Sequence, residues 1–283
     1  MAAYHRPTDL DEALAILADG PATIAAGCTD LYPATQAKTL PGPVLDITGI
    51  AALRGVAKHG DGWRIGAATT WTDIIRAELP PAFDGLKLAA REVGSVQIQN
   101  AGTVAGNLCT ASPAADGAPC LLTLNAEVDL RSAQGTRRLP LQAFLTGPRR
   151  TALRPDQLVT AILIPEASGK GQGHFLKLGA RKYLIISIAM TAARLEIENG
   201  SVSGAALAIG ACSPVATRLP GLERALVDHA PAELPGLVRP DLVSPYLAPI
   251  DDIRADGGYR VTAAPELLRR TLAGLAAPAE VAA

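Results

Sequence analysis

Two short segments of this chain carry the residue types that handle anions. The first, Ala25-Ala26-Gly27-Cys28-Thr29-Asp30-Leu31, comes directly after an apolar run. The second, Thr103-Val104-Ala105-Gly106-Asn107, is followed closely by Thr110-Ala111-Ser112-Pro113-Ala114-Ala115-Asp116. Both combine residues of little or no side chain with hydroxyls and amides. Loops of that composition let backbone N–H groups approach an anion closely and form the concavity that holds phosphate. Neither fits the P-loop pattern G-x-x-x-x-G-K-[ST] or the dinucleotide pattern G-x-G-x-x-G. Taken singly, Gly27, Gly102 and Gly106 also read as turn or bulge residues, and Asp116 before Gly117 as a turn or helix cap. The residues themselves point to an anionic ligand held by two strand-end loops.

Other elements must position these loops. Asp9–Ala18 has the spacing of an amphipathic helix, with Leu10, Leu14 and Leu17 on one face, acidic residues in its first turn and Thr8 as cap. Asp19-Gly20-Pro21 stops it, and the apolar run Ala22–Ala26 reads as a buried strand broken by Gly27. Val44–Ile47 reads as another strand, and Val56–Ala67 as a hairpin turning at His59-Gly60-Asp61-Gly62. Helices are expected over Thr72–Glu78 and Phe83–Val93, after which Gln97 to Asn107 runs small, polar and glycine-bearing. A short helix (Gly117–Asn125), a strand (Val128–Arg131), a Gln134-Gly135 turn with a second strand, and the β-branched run Val159–Ile164 follow.

Ser168-Gly169-Lys170-Gly171-Gln172-Gly173 has the composition of a linker. Beyond it, strands are expected over Phe175–Leu178, Ile188–Ile197 and Val202–Ile209, the last two joined by an Asn199-Gly200 hairpin turn. A proline-rich stretch and a helix over Pro265–Ala273 close the chain. There is no internal repeat. The class is α+β, with a boundary near residue 170.

A length of 283 residues is enough to bury a substantial core in one large domain or two. Apolar residues at 48% and charged residues at 19% describe an ordinary globular protein rather than a disordered one. A net charge of −1 argues against nucleic acid or anionic lipid as partner. No apolar run approaches the roughly 18 residues that a membrane span needs. The opening MAAYHRPTDLDEAL has no apolar signal core, so a cytoplasmic location is the default expectation. Cys28, Cys109, Cys120 and Cys212 are scattered without a C-x-x-C pair, so free, mostly buried thiols are expected and no metal site.

The two segments, in this order, resemble the FAD-binding subunits of the xanthine dehydrogenase and carbon monoxide dehydrogenase family, whose patterns are approximately A-G-G-T-D-L and T-I-G-G-N-x-x-x-A-S-P-x-x-D. The likeness extends to the opening Tyr4-His5-Arg6-Pro7-Thr8, to Leu45-Asp46-Ile47 with Leu53-Arg54-Gly55-Val56, and to Ile65-Gly66-Ala67-Ala68-Thr69-Thr70. Further on, Phe175 to Arg181 resembles the start of the family's C-terminal domain. Pro249-Ile250-Asp251-Asp252-Ile253-Arg254 with Gly258-Tyr259-Arg260 resembles its closing signature.

The resemblance implies a two-lobed FAD domain of the vanillyl-alcohol-oxidase/PCMH type over residues 1–167, with lobes of about 1–55 and 56–167, and a smaller α+β domain over 174–283. It implies that backbone N–H groups of Ala25, Ala26, Gly27, Cys28, Thr29, Asp30 and Leu31 wrap the FAD pyrophosphate. Thr103, Val104, Ala105, Gly106 and Asn107 would meet the cofactor from the second lobe. Asp116 would accept hydrogen bonds from it, Val159 would pack near the flavin, and Lys177 would stand beside the cofactor. No residue is assigned a catalytic or metal-binding role.

FAD is expected without a covalent link. The molybdenum cofactor and [2Fe–2S] clusters would reside on partners, a large molybdopterin-binding subunit and a small [2Fe–2S] subunit, assembled as a dimer of heterotrimers. Electrons would pass from substrate through the clusters to FAD and on to an acceptor. Cys28 and Ala105 stand where the family commonly has glycine; a positive φ at Cys28 would cost about 1–2 kcal/mol relative to glycine. A stand-alone flavoprotein oxidase needs its own base over the flavin, and His5, His59, His174 and His229 fall in neither loop. A scaffold that has lost FAD would be colourless.

Overall fold

The structure, a computed structural model, describes residues 3–36 and 39–276. Met1, Ala2, Ala37, Lys38 and residues 277–283, the last of these closing the expected C-terminal domain, lie outside the described residues. The first helix runs Leu10–Asp19, one residue later than its spacing suggested. Its cap is Asp9 rather than Thr8: the Asp9 carboxylate accepts the backbone N–H groups of Asp11 and Glu12, two of the donors a helix start leaves unpaired. Ala13, Leu14 and Leu17 pack on Leu45, Ile47 and Ile50 in a small core of the N-terminal part.

That part contains a parallel three-stranded sheet in which Val44–Asp46 lies between Tyr4–His5 and Thr23–Ala25. The first glycine-bearing segment starts at the carboxyl end of Thr23–Ala25, the end at which parallel strands usually place ligands. A second, antiparallel sheet runs in the order Val56–His59, Gly62–Gly66, Leu158–Pro165, Glu127–Ser132, Gly135–Pro140. The hairpin expected at His59–Gly62 is there. Helices Trp71–Arg76, Asp84–Glu92, Val96–Ala101, Val104–Thr110 and Gly117–Thr123 lie between its hairpins in sequence.

The C-terminal part is an antiparallel sheet of Gln172–Leu178, Ala189–Glu198, Ser201–Gly210 and Thr217–Arg218, packed by the helix Gly257–Ala276. Asn199 and Gly200 both take positive φ, as a two-residue type I′ turn requires. The final helix starts eight residues before Pro265, where it was expected to begin. Pro265 sits buried inside it, and the hydrogen bond it cannot make is offset by the burial of Leu267, Leu268, Leu272 and Leu275.

Ser168–Gly173 is not a loose tether. Ser168 is buried and its hydroxyl accepts the Asn125 side-chain amide at 3.0 Å, while the Lys170 carbonyl accepts Arg194 at 3.0 Å. A Cβ on Gly173 would lie 2.4 Å from the Ala82 carbonyl oxygen, so glycine is there for close packing rather than flexibility. The largest core cluster accordingly crosses this point, joining Phe83, Leu86 and Leu121 to Phe175, Met190, Ala192 and Ala208.

The closing signature has a physical reason. Arg260 is fully buried and donates to the carbonyls of Ile188 and Ala211 and to Asp252 Oδ1 at 2.6 Å, pinning the 249–256 turn to the sheet. Asp252 also takes Arg254 at 2.6 Å. Burial pushes the Asp252 carboxyl up, but hydrogen bonds and charge from Arg254, with the charge of Arg260, outweigh it and hold the group below its usual range. A carboxyl depressed in the fold contributes stability above its unfolded pKa, about 3.9, and loses it as pH falls through the lower folded value. Asp252→Ala should therefore lower the unfolding free energy of the chain by about 3–5 kcal/mol in urea titrations at pH 7, because it leaves a buried guanidinium unpaired. It should also flatten the loss of stability below about pH 4. An unchanged midpoint would show that Asp252 does not hold this turn.

Candidate functional site

A cavity of about 400 Å³ opens between the loop that follows Thr23–Ala25 and the start of helix Val104–Thr110. Its size falls within the range of small-molecule sites. Ala26, Gly27, Cys28, Thr29, Asp30 and Leu31 line it from the first segment. Thr103, Ala105, Gly106 and Asn107 line it from the second, and Val159 from the sheet. Ala25 and Val104 are buried and are not among the lining residues. Asp116 and Lys177 are not among them either. Trp71 and Leu158 line the cavity without having been singled out in the sequence, and Gly102 and Cys109 line it without having been assigned to the site.

The first segment is built to offer donors. Among the described residues, no hydrogen bond engages the backbone N–H of Gly27, Cys28, Thr29, Asp30 or Leu31, five in succession along a cavity wall. Cys28 has φ +57°, the left-handed conformation that glycine takes more cheaply, so a strained residue stands second in the row. Gly27 meets a stricter demand than ligand approach. A Cβ there would lie 2.0 Å from the Ala101 carbonyl oxygen and 2.8 Å from Gly102 Cα, so the first segment touches, backbone to backbone, the residues that lead into the second.

The second segment is not a loop. Thr103 is the N-cap of helix Val104–Thr110, its hydroxyl accepting the Gly106 N–H at 3.0 Å, and Val104 N–H donates to the Thr69 carbonyl. The glycine-bearing composition concealed a helix start whose fold depends on a cap and a tertiary bond. Gly106 serves that cap, since a Cβ on it would lie 2.6 Å from the Thr103 hydroxyl. Asn107 Oδ1 is buried without a hydrogen-bond partner, a cost of about 1–3 kcal/mol unless a donor reaches it. Val159 lies beside a bulge: the ladder to Glu127–Ser132 slips between Val159 and Ala161, and Thr160 turns its hydroxyl to Asp129 at 2.6 Å. Bulges of this kind re-aim side chains next to sites.

Asp116 and Lys177 come together instead of reaching the cavity separately. Lys177 Nζ is 2.8 Å from Asp116 Oδ2 and 3.1 Å from the Glu92 carbonyl, and the Ser187 hydroxyl donates to Asp116 Oδ1 at 2.5 Å. Both charged side chains are more than nine-tenths buried, so Lys177 is no solvated surface residue. Burial holds the Asp116 carboxyl above its usual range, with Lys177 and Ser187 offsetting part of that effect. Ser187 was not legible as a partner, because nothing local marks it. The same holds for Arg149, whose guanidinium pairs with Asp30 at 2.9 Å across 119 positions of sequence.

The lining offers little acid–base chemistry. Among the described residues no histidine, lysine, arginine or glutamate lines the cavity, and Asp30 is its one carboxylate. Burial raises the Cys28 thiol, and it pushes Cys109, which has accessible surface yet is surrounded by protein, up to about 12. Both thiols are protonated and weakly nucleophilic at neutral pH. Only Cys120 and Cys212 are fully buried; Cys28 and Cys109, of four thiols expected to be mostly buried, line this cavity. What the arrangement can do is hold an anionic, hydrogen-bonding ligand without attacking it.

Gly27→Ala should destabilise the chain by about 1–3 kcal/mol, the usual cost of forcing extra volume into a close contact. Gly236→Ala, where a Cβ meets nothing within 4 Å, should be neutral or slightly stabilising. Urea midpoints of the two variants provide the check; equal midpoints would mean that the Gly27 contact does not constrain the fold.

Comparison with known proteins agrees with this geometry. Residues 1–167 match the family described as the FAD binding domain in molybdopterin dehydrogenase, and residues 174–275 match the CO dehydrogenase flavoprotein C-terminal domain. The chain is 33% identical over 267 residues to the xanthine dehydrogenase FAD-binding subunit of Escherichia coli O157:H7, covering 92% of this chain and 91% of that protein. It is 34% identical over 221 residues to the nicotinate dehydrogenase FAD-subunit of Eubacterium barkeri, covering 74% and 73%. Among solved structures it is similar to a chain of the carbon monoxide dehydrogenase of Hydrogenophaga pseudoflava, with TM-score 0.86, 28% identity and 96% of each chain covered. The first of these matches spans more than half of the chain, and with these relatives it makes the chain a member of the family of FAD-binding subunits of the molybdopterin dehydrogenases.

Proposed function

We propose that this chain is the electron-exit subunit of a heteromeric molybdenum hydroxylase. It would hold FAD without a covalent link in the cavity between its lobes and receive electrons from [2Fe–2S] clusters on a small partner subunit. Substrate would be oxidised on a large molybdopterin-binding subunit, and the assembly would be a dimer of heterotrimers. The observation that carries the reading is the row of five unengaged amides in residues that line a cavity with almost no acid–base groups. Such a wall suits a dinucleotide pyrophosphate and does not suit substrate chemistry.

The residues present fit FAD. The amides of Gly27 to Leu31 would take the pyrophosphate, and the orphaned Asn107 Oδ1 would accept a donor from the cofactor. Ala25 and Ala26 lead the backbone into that row, while Thr103 to Gly106 and Val159 would bound the cofactor from the second lobe. Asp116 and Lys177, satisfying one another with Ser187, would fix the wall rather than bind the cofactor by separate charges. When bound, FAD supplies a carrier of one or two electrons between the clusters and an acceptor. The protonated thiols of Cys28 and Cys109 favour a non-covalent cofactor.

The relatives support a heteromer, since they are named as subunits or chains of larger dehydrogenases. Of the nine large hydrophobics that stay exposed among the described residues, Val96, Tyr183 and Leu184 line one shallow surface pocket, as a subunit contact would require. No helix among the described residues is long and apolar enough to cross a membrane.

The yellow colour of the purified chain should pass entirely to the supernatant on acid precipitation; flavin left in the pellet would refute non-covalent binding. The isolated chain should oxidise no substrate. In the complex with its partners, stripping FAD should leave substrate bleaching of the iron–sulfur absorbance intact while acceptor turnover stops. Substrate turnover by the isolated chain, or undiminished acceptor turnover after stripping, would overturn the electron-exit role.

A further inference from the structure

Asp30 lines the cavity from the first lobe, at the end of the amide row. Arg149 belongs to the second lobe, at the turn of the small hairpin Leu145–Gly147 and Arg150–Thr151. A two-point ion pair joins them, with one guanidinium nitrogen 2.9 Å from Asp30 Oδ2 and the other 3.3 Å from Oδ1. Arg149 is aimed by its backbone as well. It takes φ +53°, and its N–H donates at 2.8 Å to the carbonyl of Ala111, itself at φ +47° just past helix Val104–Thr110. With Cys28, three of the non-glycine residues of positive φ therefore adjoin one cavity. Strained backbone of this kind persists where the surroundings over-determine it and clusters at ligand clamps.

We infer that the Asp30–Arg149 pair is a clasp joining the two lobes across the cavity, and that it sets how fast FAD leaves. The inference rests on the reading that FAD occupies this cavity. Elsewhere the lobes are tied by packing of Leu53 on Ala68 and by the Arg54–Asp73 pair; beside the amide row the first lobe meets the second at the side-chain-free contact of Gly27 with Ala101 and Gly102, which blocks approach but does not resist separation. The clasp supplies that resistance at the point where the amide row ends. Both side chains are about half exposed, so the pair contributes little to global stability and its effect is confined to local opening.

The test is FAD dissociation from the full chain, followed by flavin fluorescence after dilution into excess apo-flavoprotein trap, for wild type, Asp30→Asn, Arg149→Gln and the double variant. Each single variant should release FAD about two- to fivefold faster, the range an exposed ion pair supports. The double variant should release it no faster than the quicker single variant, because both changes break one tie. Release at the wild-type rate from either single variant overturns the clasp, as does a double variant in which the two effects multiply. Slower release from Asp30→Asn also overturns it, since freeing Arg149 would then be strengthening a direct contact with the cofactor. A wild-type chain that retains no FAD defeats the underlying reading of the cavity instead.

Discussion

Beside the cavity, the first glycine-bearing segment meets residues 101–102 through a contact made of backbone alone. Gly27 lies against the Ala101 carbonyl and Gly102 so closely that even a methyl group would force them apart. That approach holds the first segment, with its unengaged amides, in the cavity wall. It also explains why the second segment is a capped helix start. A loop there would move, whereas a helix anchored by the Thr103 hydroxyl and the Thr69 carbonyl offers the first segment a fixed surface. Glycine in the first segment thus serves the protein's own packing before it serves any ligand.

Two buried charge pairs extend this arrangement through the molecule. Lys177 and Asp116 bind the C-terminal sheet to the helix that follows the second segment, with Ser187 and the Glu92 carbonyl taking up further hydrogen-bonding capacity. Arg260 binds the last helix and the 249–256 turn to the same sheet. Buried pairs of this kind add little net stability compared with apolar packing, yet leave a large penalty if one partner is missing. They therefore select one relative placement of the segments, while the shared core from Phe83 to Ala208 provides the bulk of the burial.

The site that results is chemically quiet. Its one lining carboxylate is engaged by arginine, and its thiols are held protonated. A subunit that binds FAD needs this restraint, because a base or nucleophile beside the cofactor would open side reactions. Position and donors, rather than reactive side chains, are what this chain contributes.

Much of this was legible in the residues. Helix spacing, the His59–Gly62 and Asn199–Gly200 turns and the β-branched runs mark most elements to within a few residues, because local patterns carry period and turn chemistry. The two glycine-bearing segments announced the cavity, and eleven of the fifteen residues assigned to the site line it. Three features did not show in the sequence. Composition made Ser168–Gly173 look like a tether, although its glycines are packing contacts, and made Thr103–Asn107 look like a loop. Pro265 looked like a helix start, although apolar burial carries the helix through it. The pairings of Asp116 with Lys177 and Ser187, and of Asp30 with Arg149, were likewise invisible. The sequence by itself determined which segments are strands, helices and close-approach turns, because those depend on neighbours a few residues away. Only the tertiary structure decided which charges satisfy each other and which glycines are packing contacts, because burial and partners over more than 60 positions set those energies.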